Sequence, residues 1–104
     1  MSQRILVLFN LKPGKSVGDY EEWARTVDIP GVNGLSSVDE FSVFRCGKTL
    51  FTEQDPPYQY VEVLDVADME RFGEEAASER MQAIAAEFQT EIAADLSFIP
   101  LDKL

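Results

Sequence analysis

Histidine is absent from this 104-residue chain, and only one cysteine, Cys46, is present. Without histidine there is no Ser-His-Asp or Cys-His catalysis, no histidine metal ligand and no ordinary proton carrier near neutral pH. One cysteine builds neither a disulfide framework nor a zinc site. Basic residues are scarce, 9 against 19 acidic ones. A formal charge of −10 offers nothing to a phosphate backbone or an anionic membrane, so neither nucleic acid nor membrane is expected as a partner. Long apolar runs are also missing: Ile5–Phe9 is far too short for a span and has no cleavage-site pattern after it. The default expectation is a cytoplasmic protein. Chemistry must therefore rest on carboxylates, tyrosines, arginines or a borrowed cofactor.

What remains suits one globular domain spanning 1–104, with 45% apolar residues to fill a core. Glu62 to Asp95 holds ten acids against Arg71 and Arg80, which reads as a solvated helical face. Arg4–Asn10 is a short, nearly continuous apolar strand that ends at the Lys12-Pro13-Gly14 turn. Ser16 is an N-cap candidate, with Asp19 three residues on. Val17, Tyr20, Trp23, Ala24 and Val27 then recur at helical spacing as far as Asp28-Ile29-Pro30. Leu35–Cys46 reads as a second strand, Gly47–Pro57 as a polar loop, and Tyr58–Val66 as a third strand alternating with period two. Asp68 opens a helical stretch in which Gly73 and Ser78 point to two helices meeting at an angle. Leu96–Leu104 is a last strand whose Pro100 argues for an edge or a bulge.

The order β-α-β-β-α-β predicts an α+β, ferredoxin-like antiparallel sheet with both helices on one face. Apolar residues on the other face call for a cover, and a homodimer with two sheets face to face supplies one. In this topology the first and third strands are expected to be adjacent and parallel, with the second antiparallel to the third.

Ile5-Leu-Val-Leu-Phe-Asn-Leu-Lys-Pro-Gly14, Tyr20-Glu-Glu-Trp-Ala-Arg25, Asp28-Ile-Pro30 and Pro56-Pro-Tyr-Gln-Tyr-Val-Glu-Val63 resemble the RedY-like proteins over nearly the whole chain. The Pro56–Val63 run is the most specific part. These are small proteins of the dimeric α+β barrel superfamily, found in gene clusters for prodiginine pigments and related pyrrole or indole natural products. More distantly, the strand, Lys-Pro-Gly turn and helix resemble the ethyl tert-butyl ether degradation family. There a histidine recurs two residues before the proline, where this chain has Asp28. The resemblance implies action on a reactive aromatic intermediate, by cyclisation or loss of water.

The residues themselves converge on one end of the sheet. Arg45 closes the second strand beside the start of the third, and period two puts Tyr58, Tyr60 and Glu62 on one face. Asp28 returns to the same end at the C-terminus of its helix, an unfavourable place for a carboxylate. In an apolar site it becomes a usable general acid or base. The candidate catalytic residues are Asp28, Tyr60 and Glu62, although Glu62 is equally readable as the ion-pair partner of Arg45. Candidate substrate-binding residues are Trp23, Arg45, Tyr58, Phe72, Met81 and Phe88. For Trp23, Phe72, Met81 and Phe88, core packing is the competing reading, and for the tyrosines it is amphipathic strand packing. Cys46 reads as an inert thiol. No metal site is expected, and with no dinucleotide or flavin motif no cofactor is either. Three functions follow: a cofactor-independent lyase or cyclase, a non-catalytic carrier for an unstable hydrophobic intermediate, and a cofactor-free monooxygenase.

Overall fold

The computed structural model describes residues 2–104. Strands β1 (Gln3–Leu11), β2 (Val38–Arg45), β3 (Tyr60–Val66) and β4 (Ala93–Leu101) form one sheet in the order β2-β3-β1-β4. Every neighbouring pair is antiparallel. The expected parallel pairing of the first and third strands is therefore incorrect: Phe9 lies opposite Tyr60, and Gln3 opposite Val66. A helical crossover makes β1 and β2 the strands that share a direction. β3 is inserted between them and runs against both.

Ser16 caps α1 (Val17–Trp23), its Oγ accepting from the Asp19 N–H at 3.0 Å, as the sequence indicates. The helix does not end near Asp28-Ile29-Pro30, however. It widens into a π-helical turn over Ala24–Asp28 and continues as α2 (Ile29–Asn33). In an uninterrupted α-helix the Pro30 ring would strike the carbonyl four residues back. The turn immediately before it is widened, with the Ile29 N–H donating to the Ala24 carbonyl five residues earlier. Asp28 thus sits inside a helical run, pointing into the protein, rather than at a frayed helix end. Gly31 lets this helix approach the next layer, since a Cβ there would come within 2.9 Å of Ile84 Cδ1.

The second helical stretch is broken as expected. Asp68 caps α3 (Met69–Ala76), and Ser78 caps α4 (Glu79–Glu87), which passes into a second π-helical turn, Phe88–Ile92. Ser78→Ala removes the acceptor of the Met81 N–H. That change should cost about 1 kcal/mol of stability, read as a lowered urea midpoint. Glu75 accepts from the Ser36 and Ser37 N–H groups and ties α3 to the start of β2. Its carboxyl is held down to about 2, chiefly by Ser37. β4 starts at Ala93 rather than Leu96 and carries a bulge at Asp95, whose φ is 55°. It is an edge strand, so Pro100 breaks no sheet interior.

Along β3, Tyr60, Glu62, Leu64 and Val66 are buried in strict alternation. Their face meets the helices in two adjoining clusters. One gathers Val7, Phe9, Tyr20, Ala24, Tyr60, Phe88 and Ile92, and the other Val32, Val38, Phe41, Leu64, Val66, Met81 and Ile84. Phe9 is fully buried, stacked on Tyr60 at 5.5 Å and edge-on to Phe88 at 4.9 Å. Complete burial of one such ring is worth about 1.5–3 kcal/mol. The registers place Leu6, Leu8, Phe44, Val61, Val63 and Ile99 on the opposite face, where Phe44 and Ile99 are exposed. Among the described residues no helix is long and apolar enough to cross a membrane.

Candidate functional site

A cleft of about 200 Å³ opens between α1 and the start of β3. Its walls are Tyr20, Ala24 and Ile29 from the helical layer and Val43, Arg45 and Tyr60 from the sheet, with Glu21 and Arg25 at the rim. Tyr60 is positioned by stacking on Phe9 and by Tyr20, whose ring meets it edge-on at 4.8 Å. Its hydroxyl donates to Glu21 Oε2 at 2.7 Å. The same oxygen lies 3.3 Å from Arg45 Nη1, while Glu21 Oε1 lies 3.2 Å from Arg25 Nη2. The hydrogen bond from Tyr60, followed by the two arginines, holds the Glu21 carboxyl below its ordinary value. Burial and this contact push the Tyr60 phenol up.

Two further carboxyls lie deeper. Glu62 sits at the centre of the sheet, between Val7 and Val43, and is 4% exposed. Asp28, 5% exposed, descends from the π-helical turn. Burial pushes Asp28 up to about 7, and among the described residues no cation or hydrogen bond offsets it. Glu62 is pushed well above the usual range by burial first and by the charge of Asp28 second. Tyr20 is within electrostatic reach of both, and its phenol is driven up by burial, then by Glu62 and Asp28. Among the described residues Tyr20 Oη, Trp23 Nε1, Ser37 Oγ and Glu62 Oε2 are buried without a hydrogen-bond partner. Unpaired buried polar atoms are costly, and two of these belong to Glu62 and to Tyr20, the phenol within electrostatic reach of both acids. An acid near 7 holds both protonation states at neutral pH, the condition for moving a proton in either direction.

The candidate residues divide into groups. Asp28 and Glu62 come together, as do Tyr60 and Arg45 at the cleft. Trp23 stacks on Phe88 at 6.4 Å, the planes within 8°. Phe72 and Met81 pack in the second core cluster instead of on the cleft. Tyr58 precedes β3, outside its ladder, and lines a neighbouring hollow with Arg45, Cys46, Pro56 and Tyr60, so that Arg45 and Tyr60 border both this hollow and the cleft. Glu62 is not the ion-pair partner of Arg45. Arg45 is opposite Tyr60, at the sheet end, and reaches Glu21.

Tyr20 and Glu21 are the members that sequence reasoning missed. Tyr20, Ala24 and Asp28 recur every four residues, which puts Tyr20 and Asp28 on one helical face, a readable signal. A larger open hollow of about 680 Å³ lies at the far end of the sheet. There Arg4 bridges Asp65 at 2.6 Å, and the buried acids are not part of it. Among the described residues no three acidic or cysteine side chains converge in a way that would hold a metal ion.

An antiparallel sheet of order β2-β3-β1-β4 under one helical layer defines an α+β protein of the ferredoxin-like class. Within that class the chain belongs to the REDY-like protein HapK family, whose model matches residues 3–104. No curated protein matches the sequence. Among solved structures, HapK from Hahella chejuensis is similar at 23% identity, with a TM-score of 0.78 over 100% of this chain and 93% of that one. An ethyl tert-butyl ether degradation family protein from Bacillus halodurans shares 11% identity, with a TM-score of 0.69 over 100% of both chains. A dimeric ferredoxin-like protein from Thermobifida fusca shares 14%, with a TM-score of 0.71 over 99% of this chain and 92% of that one.

Proposed function

We propose that this protein is a cofactor-independent enzyme of secondary metabolism that steers a reactive pyrrole- or indole-derived intermediate by acid–base chemistry. The observation that carries this reading is the desolvated pair Asp28 and Glu62, beside an aromatic-walled cleft and without any cation that would make it a structural ion pair. In a dehydration, the protonated member of the Asp28–Glu62 pair gives its proton to a hydroxyl next to the ring, and the ionised member takes the ring N–H proton. The N–H electron pair moves into the ring, the C–O bond breaks and water leaves. Tyr60 and Trp23 hold the planar substrate, and Arg45 orients it at the cleft mouth. The protein works as a homodimer that buries the apolar sheet face. The uncovered Phe44 and Ile99, and the dimeric state of a similar fold, support that assembly.

One observation favours a second reading, a carrier that shields an unstable intermediate: the two acids do not line the cleft itself. Incubating hydroxyl-bearing pyrrole and indole intermediates with the purified protein, with and without oxygen, separates these. A new or faster-forming product in both atmospheres is the expected result. Tight binding with unchanged product and rate would overturn catalysis and leave the carrier.

A further inference from the structure

Resting on the functional reading above, we propose that Glu21 determines the specificity of the cleft by committing the Tyr60 hydroxyl as a hydrogen-bond acceptor. The cleft then takes an aromatic ring through a hydroxyl that donates, and it disfavours the matching ether. A phenol has one proton to give, and Tyr60 Oη gives it to Glu21 Oε2 at 2.7 Å. An ionised carboxylate accepts only. Glu21 is held in that form by Tyr60 itself and by the guanidinium groups of Arg45 and Arg25, at 3.3 and 3.2 Å. The proton of Tyr60 is thus engaged, and its oxygen has only lone pairs left for a ligand.

The other groups around the cleft do not replace that contact. Tyr60 is 2% exposed and lines the cleft together with Glu21 and Arg45. A ligand that covers its oxygen without donating keeps water away and returns nothing, the costly arrangement for a buried polar group. Arg45 has N–H groups to spare, but its side chain is 65% exposed, so an acceptor gains little there over water. Ala24, Ile29 and Val43 are apolar, and the Tyr20 ring stands edge-on to Tyr60 at 4.8 Å. At about 200 Å³ the cleft is below the roughly 300–1,000 Å³ of drug-sized sites, so a single ring fits.

Phenol, anisole and toluene share one ring and differ at one position. Each is titrated into the full chain, with the backbone amide signals of Ala24, Val43 and Tyr60 in nitrogen–proton correlation spectra reporting on the cleft. Phenol should bind at least about tenfold more tightly than anisole or toluene. Glu21→Gln keeps the shape, but its amide donates to Tyr60 and frees the phenol proton. There the phenol-to-anisole ratio should fall to within about threefold, whereas purely structural damage weakens both probes alike and leaves the ratio. Should Glu21→Gln not fold, Glu21→Asp, whose shorter arm withdraws the acceptor, reads the same ratio. Equal affinities for phenol and anisole in the parent, no saturable shift of the cleft amides, or an unchanged ratio in the folded Glu21 variant would overturn the proposal. Selectivity without conversion of any pyrrole or indole intermediate would leave this proposal standing and remove the catalytic reading. Conversion with equal affinities would do the reverse.

Discussion

Asp28→Asn should fold normally and lose product formation by at least about 100-fold, because a positioned acid or base contributes about 10²–10⁴ in rate. Asparagine matches the shape of aspartate but neither gives nor takes a proton, so packing around the π-helical turn is kept while the chemistry goes. Asp28 is the residue to test because burial alone brings it to about 7, where each form is available. Burial, and then the charge of Asp28, push Glu62 well above the carboxylate range as well. Two acids in electrostatic contact lose their protons in two steps that belong to the pair, so one is ready to give while the other is ready to take. Glu62→Gln should also lower turnover, and the double variant should fall little further, since residues that act as a unit are not additive. The turnover number for product, with far-ultraviolet circular dichroism as the folding control, reads the outcome. Activity within about threefold of the parent in folded Asp28→Asn would show that Asp28 moves no proton in the reaction.

How far this site could be read from the chain differs from residue to residue. β3 was legible because alternation from Tyr60 to Val66 marks a strand with one buried face, and that pattern placed Glu62 correctly inside. Extending the alternation back to Tyr58 failed, because periodicity does not mark where pairing begins and Pro56-Pro57 supply no N–H groups to a ladder. The caps Ser16, Asp68 and Ser78 were readable from local chemistry alone. The passage of the helix through Asp28-Ile29-Pro30 was not: proline signals a stop, and only the packed structure shows that a π turn accommodates it. That one difference turns Asp28 from an awkward helix terminus into a buried acid. Strand direction was readable from the element order, since a helical crossover makes β1 and β2 share a direction and β3 returns against both. The expected parallel pairing of β1 and β3 misapplied that rule. The Glu21 contacts with Tyr60 and Arg45 join three distant segments, and no local pattern marks them.

Stability should fall as pH rises from 5 to 8, the reverse of the trend set by ordinary paired carboxylates. The folded-state value of Asp28, about 7, lies above the ordinary 3.8 of an unfolded aspartate. Between those values the folded chain binds the extra proton, so each step up in pH favours unfolding until Asp28 has ionised. The contribution is complete below about pH 4, shrinks through pH 7 and is gone above it. From pH 5 to pH 8 the loss from this residue is roughly 3 kcal/mol at 1.36 kcal/mol per pH unit. Glu62, also raised, acts in the same direction, and Tyr20 and Tyr60, raised from an already high value, stay neutral throughout this range. Glu75, Asp68 and Glu21 are lowered, and their contributions are lost only on the acid side, as pH falls through the carboxylate range. A net charge of −10 also favours lower pH, so wild-type slope alone does not isolate the buried acid. Urea midpoints of the parent and of Asp28→Asn, taken at one protein concentration across pH 5 to 8, do. The variant should be the more stable protein at pH 8 and should lose the part of the slope that Asp28 supplies. A slope as steep in Asp28→Asn as in the parent would mean that Asp28 titrates like a solvated aspartate, and the acid–base reading of this site would lose its central residue.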